Sequence, residues 1–398
     1  MNVVFISPHF PRHFFNFCAR LKERGVNVLG IGDCRWEEIG TNCQHALTDY
    51  RYVPSLTDYD AVYRAVAEYI FRYGRIDYVE SENEYWLELD ARIRTDFNIT
   101  TGPKLEAMAD MNRKSRMKAG YARAGIPTAR WTLPQSLQEA QAFAREVGYP
   151  VIVKPDQGVG AASTYKLNSD EELAAFWESR DPAVVFIEEE CVPGHVESFD
   201  GITDSRKNVL FAASQCLPVS LMDAVNEGRD LISYCQAPAD DLREAGVRLL
   251  KEFDTRNKFF HFEFFRLDED KEGLGKRGDI VGLEVNMRAP GGRIPDKMNF
   301  AYDTDVYTIW ADSLIYDRCF MSSEFRHYIT HVGRKDAIAY AHSYEEIRAA
   351  FGSRIMEEMD VDPALADEMG NHAYLMRADS LEERDAQVSF ILQREGNI

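Results

Sequence analysis

Strand and helix signals along these 398 residues point to an α/β opening followed by an α+β body. The chain starts strand–helix–strand, the pattern of a parallel sheet with crossover helices. Beyond Pro103, capped helices alternate with strand pairs joined by short turns. Residues 281–292, VGLEVNMRAPGG, alternate like a strand, yet Glu284, Asn286 and Arg288 stand two apart. On a strand that spacing puts all three on one face.

Each element has its own signal. Residues 3–7 form an apolar run, the helix at 14–24 closes on Gly25, and a second strand fills 26–32. The first turn, SPHFPRHF, lacks glycine and is no dinucleotide fingerprint. Val62, Val66, Tyr69, Ile70 and Tyr73 share one face of a helix at 58–73, ahead of a strand at 76–81. Helices at 105–110 and 113–124 stop at Gly125-Ile126-Pro127. Ser136 with Glu139 and Ser169 with Glu172 cap two more helices. Between those two helices lie the run VIVKP (151–155), the turn DQGVGAAS and a strand at 164–167. Strands follow at 184–190, from 197, at 259–267 and at 279–287, with a helix at 240–254. In the tail, IAYAHSYEEI and AYLMRADSLEE each read as a strand entering a capped helix. That weak repeat predicts a small C-terminal α+β lobe.

Composition bounds the partners. A net charge of −20 argues against a nucleic-acid surface. Cysteines 18, 34, 43, 191, 216, 235 and 319 form no Cys-x-x-Cys pair, as expected of reduced thiols in a cytoplasmic protein. No apolar run approaches the roughly 20 residues of a membrane span, and no leader segment is expected.

Three segments carry candidate chemistry. Glu263, among buried phenylalanines, can face Glu284 and Asn286 if 259–267 and 279–287 form a hairpin. Adjacent buried carboxylates need a positive charge between them. An oxygen-rich set suits Mg²⁺, and Arg288 on the same face can reach a phosphoryl group. A structural Arg–Glu ion pair reads the strand equally well. Lys154 ends an apolar strand ahead of a Gly-containing turn whose backbone can approach an anion; an ordinary hairpin is the simpler reading. FIEEECVPGH ends a strand in three carboxylates, which read alone as a solvated strand end.

The order of these elements resembles the ATP-grasp superfamily over residues 1–320, including its biotin carboxylase, carbamoyl-phosphate synthase and L-amino acid ligase branches. The order is basic helix, strand–Lys–Gly loop, acidic strand end, Glu strand and Glu-x-Asn-x-Arg strand. The resemblance implies a pre-ATP-grasp α/β domain (1–104), two ATP-grasp subdomains (105–186 and 187–325) and the C-terminal lobe (326–398). It places the nucleotide's phosphates on Lys114, with Arg113 and Arg116 as rivals for that contact, and on Lys154. A covering loop would comprise Gly158, Gly160, Ala161, Ala162 and Ser163. It puts the adenine hinge on Glu188, Glu189 and Cys191, and the ribose on Glu197. Glu263, Glu284 and Asn286 become magnesium ligands, for two Mg²⁺ ions or Mn²⁺ in their place, and Arg288 and Lys154 become catalytic. The loop is poorer in glycine than in the carboxylases, and APGGRIPDKMNF looks closer to the amino acid ligases.

The implied activity is ATP-dependent amide formation between a carboxylate and an amine through an acyl-phosphate. Carboxylation or carbamoyl transfer, or plain ATP binding without catalysis, stand as alternatives. Arg293 and His195 are the substrate candidates. His9 and His13 lie where open α/β sheets place ligands. Glu84 reads as part of a solvated charge run and His261 as a satisfied sheet residue. The expected partners are small molecules and a second copy of the chain, with neither nucleic acid nor membrane.

Overall fold

The computed structural model describes residues 1–158, 163–218, 229–361 and 366–396. Three sheets organise it. The first is parallel, in the order β3-β2-β1-β4, from β1 (Asn2–Ile6), β2 (Asn27–Gly32), β3 (Asp49–Tyr52) and β4 (Tyr78–Glu80). The central strands β1 and β2 are apolar runs covered on both faces, as parallel sheets require, while the edge strand β3 is polar and half-exposed.

The second sheet is antiparallel, in the order β5-β8-β6-β7, from β5 (Trp131–Thr132), β6 (Val151–Pro155), β7 (Tyr165–Leu167) and β8 (Phe186–Glu190). Helices Leu137–Val147 and Asp170–Ser179 lie on the Val151 and Val153 face. Ser136 and Ser169 cap them by accepting from the Glu139 and Glu172 backbone N–H. The return bond of each glutamate goes one residue further out, to the N–H of Gln135 and of Asn168.

The third sheet has eight antiparallel strands in the order β13-β12-β9-β10-β11-β14-β16-β15. They are β9 (Gly194–Thr203), β10 (Val209–Leu217), β11 (Ile232–Gln236), β12 (Phe259–Leu267), β13 (Ile280–Asn286), β14 (Tyr328–Arg334), β15 (Ile355–Asp360) and β16 (His372–Ala378). The C-terminal α+β part lays β14–β16 on the edge of this sheet through the β11–β14 pair. The strand expected at Ile338–Tyr340 is not formed: that stretch is a turn after β14, with the Lys335 N–H bonded to the Tyr340 hydroxyl at 3.0 Å. Strand β14, ahead of that turn, supplies the pairing instead.

One core joins the first and third sheets. Phe5 and Phe17 meet Trp310 edge-on, and Phe259, Ile329 and Leu375 complete the cluster. Among the described residues no helix is long and apolar enough to cross a membrane.

Candidate active site

The alternation of FFHFEFFRL on β12 builds the site. Phe260, Phe262 and Phe264 pack under helix Asp240–Glu252, so His261 and Glu263 take the other face. In the β12–β13 register Glu263 lies opposite Glu284, and His261 opposite Asn286. Two carboxylates and an amide thus share one patch of sheet, and Arg288 follows on the same side. The expected hairpin is formed, and its polar residues line a cleft.

The surroundings split the two carboxylates. Burial disfavours ionised Glu263, but the His261 hydrogen bond and the charges of His261, Arg288 and Lys154 outweigh it and lower its pKa. Burial and the nearby Glu263 raise Glu284, against Lys114. His261 Nδ1 donates to Asp200 Oδ1 at 2.6 Å, and its Nε2 lies 3.2 Å from Glu263 Oε1. Asp200 also accepts from the Ser198 hydroxyl at 2.6 Å. His261 is therefore satisfied, as expected, and it orients Glu263.

The lysines come from neighbouring elements. Asp156, just past β6, accepts from the Ser115 N–H at 2.7 Å and hydroxyl at 3.0 Å, which anchors the start of helix Lys114–Arg123. Lys114 then reaches Glu284 at 3.8 Å and the Gly158 carbonyl at 3.2 Å, while Arg113 and Arg116 are exposed. Lys154 Nζ lies 3.2 Å from Glu189 Oε2. Lys118, one helical turn beyond Lys114, lies 3.1 Å from Glu189 Oε1. Burial opposes the charge on Glu189, yet the two lysines hold its pKa below the usual carboxylate range.

Other expected residues fall elsewhere. Gly160, Ala161 and Ala162 lie outside the described residues; Gly158 borders the cleft and Ser163 is exposed in a turn. Cys191 follows β8, half-buried. Glu188 faces away from Glu189, toward the helix-covered side of Val153, and among the described residues neither of its oxygens has a hydrogen-bond partner. It therefore does not reach the cleft. Glu197 and His195 sit on the Phe199 face of β9, opposite to the floor, because strand alternation reverses them. There Glu197 accepts from Arg266 Nε at 2.7 Å, and so does not face a ribose site beside Glu263. Arg293 is held by Asp296 at 3.0 Å and by Glu357, so its charge is already matched.

Lys118, Asp200, Ser198 and Lys297 escaped the sequence reading, whereas Glu84 was read as a solvated charge and His9 as a candidate in the first βα turn. Glu84 pairs with Arg288, which brings the first sheet's loop into the cleft instead of into solvent. Lys118 had a signal in its i,i+4 spacing from Lys114. Asp200 and Ser198 meet His261 and Glu263 only through the tertiary register. Buried Lys297 donates to the Ser233 hydroxyl at 2.8 Å; burial lowers its pKa to about 8. His9 lines a cavity of about 700 Å³ with Arg12, Thr41 and Asn42.

Glu84, Glu284, Asn286, Gly158 and Met111 line a cleft cavity of about 240 Å³. Glu284 and Asn286 in its wall, with Glu263 opposite Glu284 on the adjoining strand and Lys114 3.8 Å from Glu284, form a donor set that fits a hard divalent cation sharing phosphate oxygens.

Comparison with known proteins agrees. Residues 113–253 match the family model of the carbamoyl-phosphate synthase L chain, ATP binding domain. An L-arginine-specific L-amino acid ligase of Bacillus subtilis is 23% identical over 272 residues, 66% of this chain and 62% of that protein. The small subunit of 2-oxoglutarate carboxylase from Hydrogenobacter thermophilus is 28% identical over 173 residues, 40% of this chain and 34% of that protein. The chain thus spans less than two thirds of these curated relatives. The crystal structure of an L-amino acid ligase from Bacillus licheniformis superimposes with TM-score 0.70 at 14% identity, covering 97% of this chain and 95% of that one. N5-carboxyaminoimidazole ribonucleotide synthetase from Thermus thermophilus gives 0.69 at 14% identity, covering 100% of both. Residues 113–253 thus match an ATP-binding domain model, and the chain as a whole shares the fold of these solved structures.

Proposed function

We propose that the protein is an ATP- and Mg²⁺-dependent ligase that joins a carboxylate to an amine, with amino-acid-like substrates. The observation that carries this reading is the shared face of Glu263, Glu284 and Asn286 with Lys114, Lys154 and Arg288 around it. Glu263, Glu284 and Asn286 would hold the cation. Bound Mg²⁺ supplies charge neutralisation at the β- and γ-phosphates. Lys154 and Lys114 add point charges there, and the 158–163 loop would cover the phosphates. A substrate carboxylate oxygen attacks the γ-phosphorus as the bond to the bridging oxygen of ADP breaks. An uncharged amine then attacks the acyl carbon, phosphate leaves with the C–O bond electrons, and the nitrogen loses a proton. Arg288, released from Glu84, stabilises the oxyanion of that addition.

The relatives' names, ligases and carboxylases both, support carboxylate activation on this scaffold. The APGGR segment favours the ligase branch. We place the protein in the cytoplasm, as a homodimer, with unit boundaries at 104, 186 and 325. The test is ADP release with Mg-ATP and pooled amino acids, with mass analysis of products. The expected result is substrate-stimulated ADP release and a new amide, with the rate down at least about 100-fold in Glu284→Ala. Release that depends on bicarbonate instead would move the assignment to a carboxylating enzyme. Bound ATP without turnover would leave a binding module.

A further inference from the structure

On the sheet face away from the cleft, His195 and Glu197 stand two apart on β9, and Cys216 lies directly opposite Glu197 on β10. One imidazole nitrogen, one carboxylate oxygen and the thiol sulfur all lie within 4.8 Å of one another. His195 Nε2 is 3.7 Å from Glu197 Oε1. A tetrahedral ion with bonds of about 2.0–2.3 Å has corner-to-corner distances of about 3.3–3.8 Å. The His195–Glu197 pair is already at that spacing, and the thiol sulfur lies within 4.8 Å of both.

The surrounding groups aim them. Asp268 Oδ1 holds His195 Nδ1 at 2.8 Å, which leaves Nε2 for the interior of the cluster. Arg266 Nε holds Glu197 Oε2 at 2.7 Å and leaves Oε1. A carboxylate on the far nitrogen of a histidine is the usual outer support of a metal-bound imidazole. Charge also calls for a cation. Glu197, Asp268 and Asp241 are three carboxylates against one guanidinium, Arg266, which Asp241 itself binds at 2.8 Å, and one imidazole, His195, so one carboxylate is left over even with that ring protonated. Cys216 is buried, while His195 and Asp268 reach the surface and leave a path in.

We propose that His195, Glu197 and Cys216 form a three-ligand site for a zinc-type transition-metal ion, separate from the nucleotide cleft. Nitrogen, oxygen and sulfur donors together suit Zn²⁺ and disfavour Mg²⁺, which takes oxygen alone. Three protein ligands leave a fourth position for solvent. Binding displaces one proton from the Cys216 thiol and one from the imidazolium. The ion would clamp β9 to β10, and the site does not rest on the ligase reading.

The experiment titrates Co²⁺ into the full-length, reduced, nucleotide-free protein and follows near-ultraviolet absorbance. One equivalent of Co²⁺ should bind with a thiolate-to-metal charge-transfer band. Cys216→Ser should abolish the band, while Glu284→Ala, in the cleft, should keep it. Asp268→Asn should keep the band and weaken binding about 10–100-fold. No band at stoichiometric Co²⁺, or an unchanged band in Cys216→Ser, overturns the proposal. If Cys216→Ser fails to fold, unchanged affinity in Asp268→Asn overturns it instead.

Discussion

Glu188 and Glu189 are consecutive on β8 and meet opposite surroundings. Glu189 is bracketed by Lys118 and Lys154. Glu188 is buried beside apolar side chains with no hydrogen-bond partner among the described residues, and burial raises its pKa to about 8. Its folded value lies above the unfolded one, so its contribution to stability is complete below about 4.5 and is lost as pH rises through 8. Thermal melts of Glu188→Gln should therefore gain on wild type between pH 6 and pH 9; an identical difference at both pH values refutes this. Lys118→Met should cost about 3–5 kcal/mol in denaturant unfolding, because a buried ion network loses one partner. It should also weaken ADP binding measured by calorimetry, since Glu189 is then left to Lys154 alone and holds it more tightly.

At the scale of elements, the floor depends on how helix Lys114–Arg123 meets β13. The Tyr121 hydroxyl donates to the Glu263 carbonyl at 3.0 Å and the Glu284 carbonyl at 2.8 Å, bridging the strands at the bulge beside Glu263. Its ring lies against Gly282, where any Cβ would run into it. Gly282→Ala should thus cost about 1–3 kcal/mol of stability by overpacking. It should also raise the Mg²⁺ concentration needed for half-maximal activity, because the carbonyls that set the Glu263–Glu284 spacing shift. An unaltered Mg²⁺ requirement would show that Tyr121 does not set that spacing.

Across the whole molecule, the first and third sheets share a core and a buried ion network. Lys258, at the foot of β12, pairs with Glu80 on β4, and Arg94 lies 3.1 Å from the same carboxylate. Trp310, fully buried, packs on Phe5 and Phe17. Trp310→Ala should cost about 3–5 kcal/mol and lower the melting temperature of both sheets together. Two coincident probes, one in residues 1–80 and one in the third sheet, would check this; a shift confined to one would show that the sheets unfold separately.

Local pattern was enough for most strands and caps, since apolar alternation, Ser-x-x-Glu boxes and glycine stops act over a few residues. Glu263, Glu284, Asn286 and Arg288 were legible for the same reason: their shared face follows from a spacing of two and one hairpin. The strands missed were β3, β5, β10, β11, β14 and β15: β3 is polar and half-exposed, β5 has two residues, β10 follows β9 through a short turn, and β11 finds β14 across a long separation. Pairing across the sheets decided the rest. The direction in which Glu188, Glu197 and His195 point depends on which face of each sheet a helix covers. The union of Glu84 with Arg288, and of Lys118 with Glu189, depends on loops and helices that meet only after the sheets have packed. Residue spacing decides which side chains are neighbours on one strand, but burial and register decide what each of them faces.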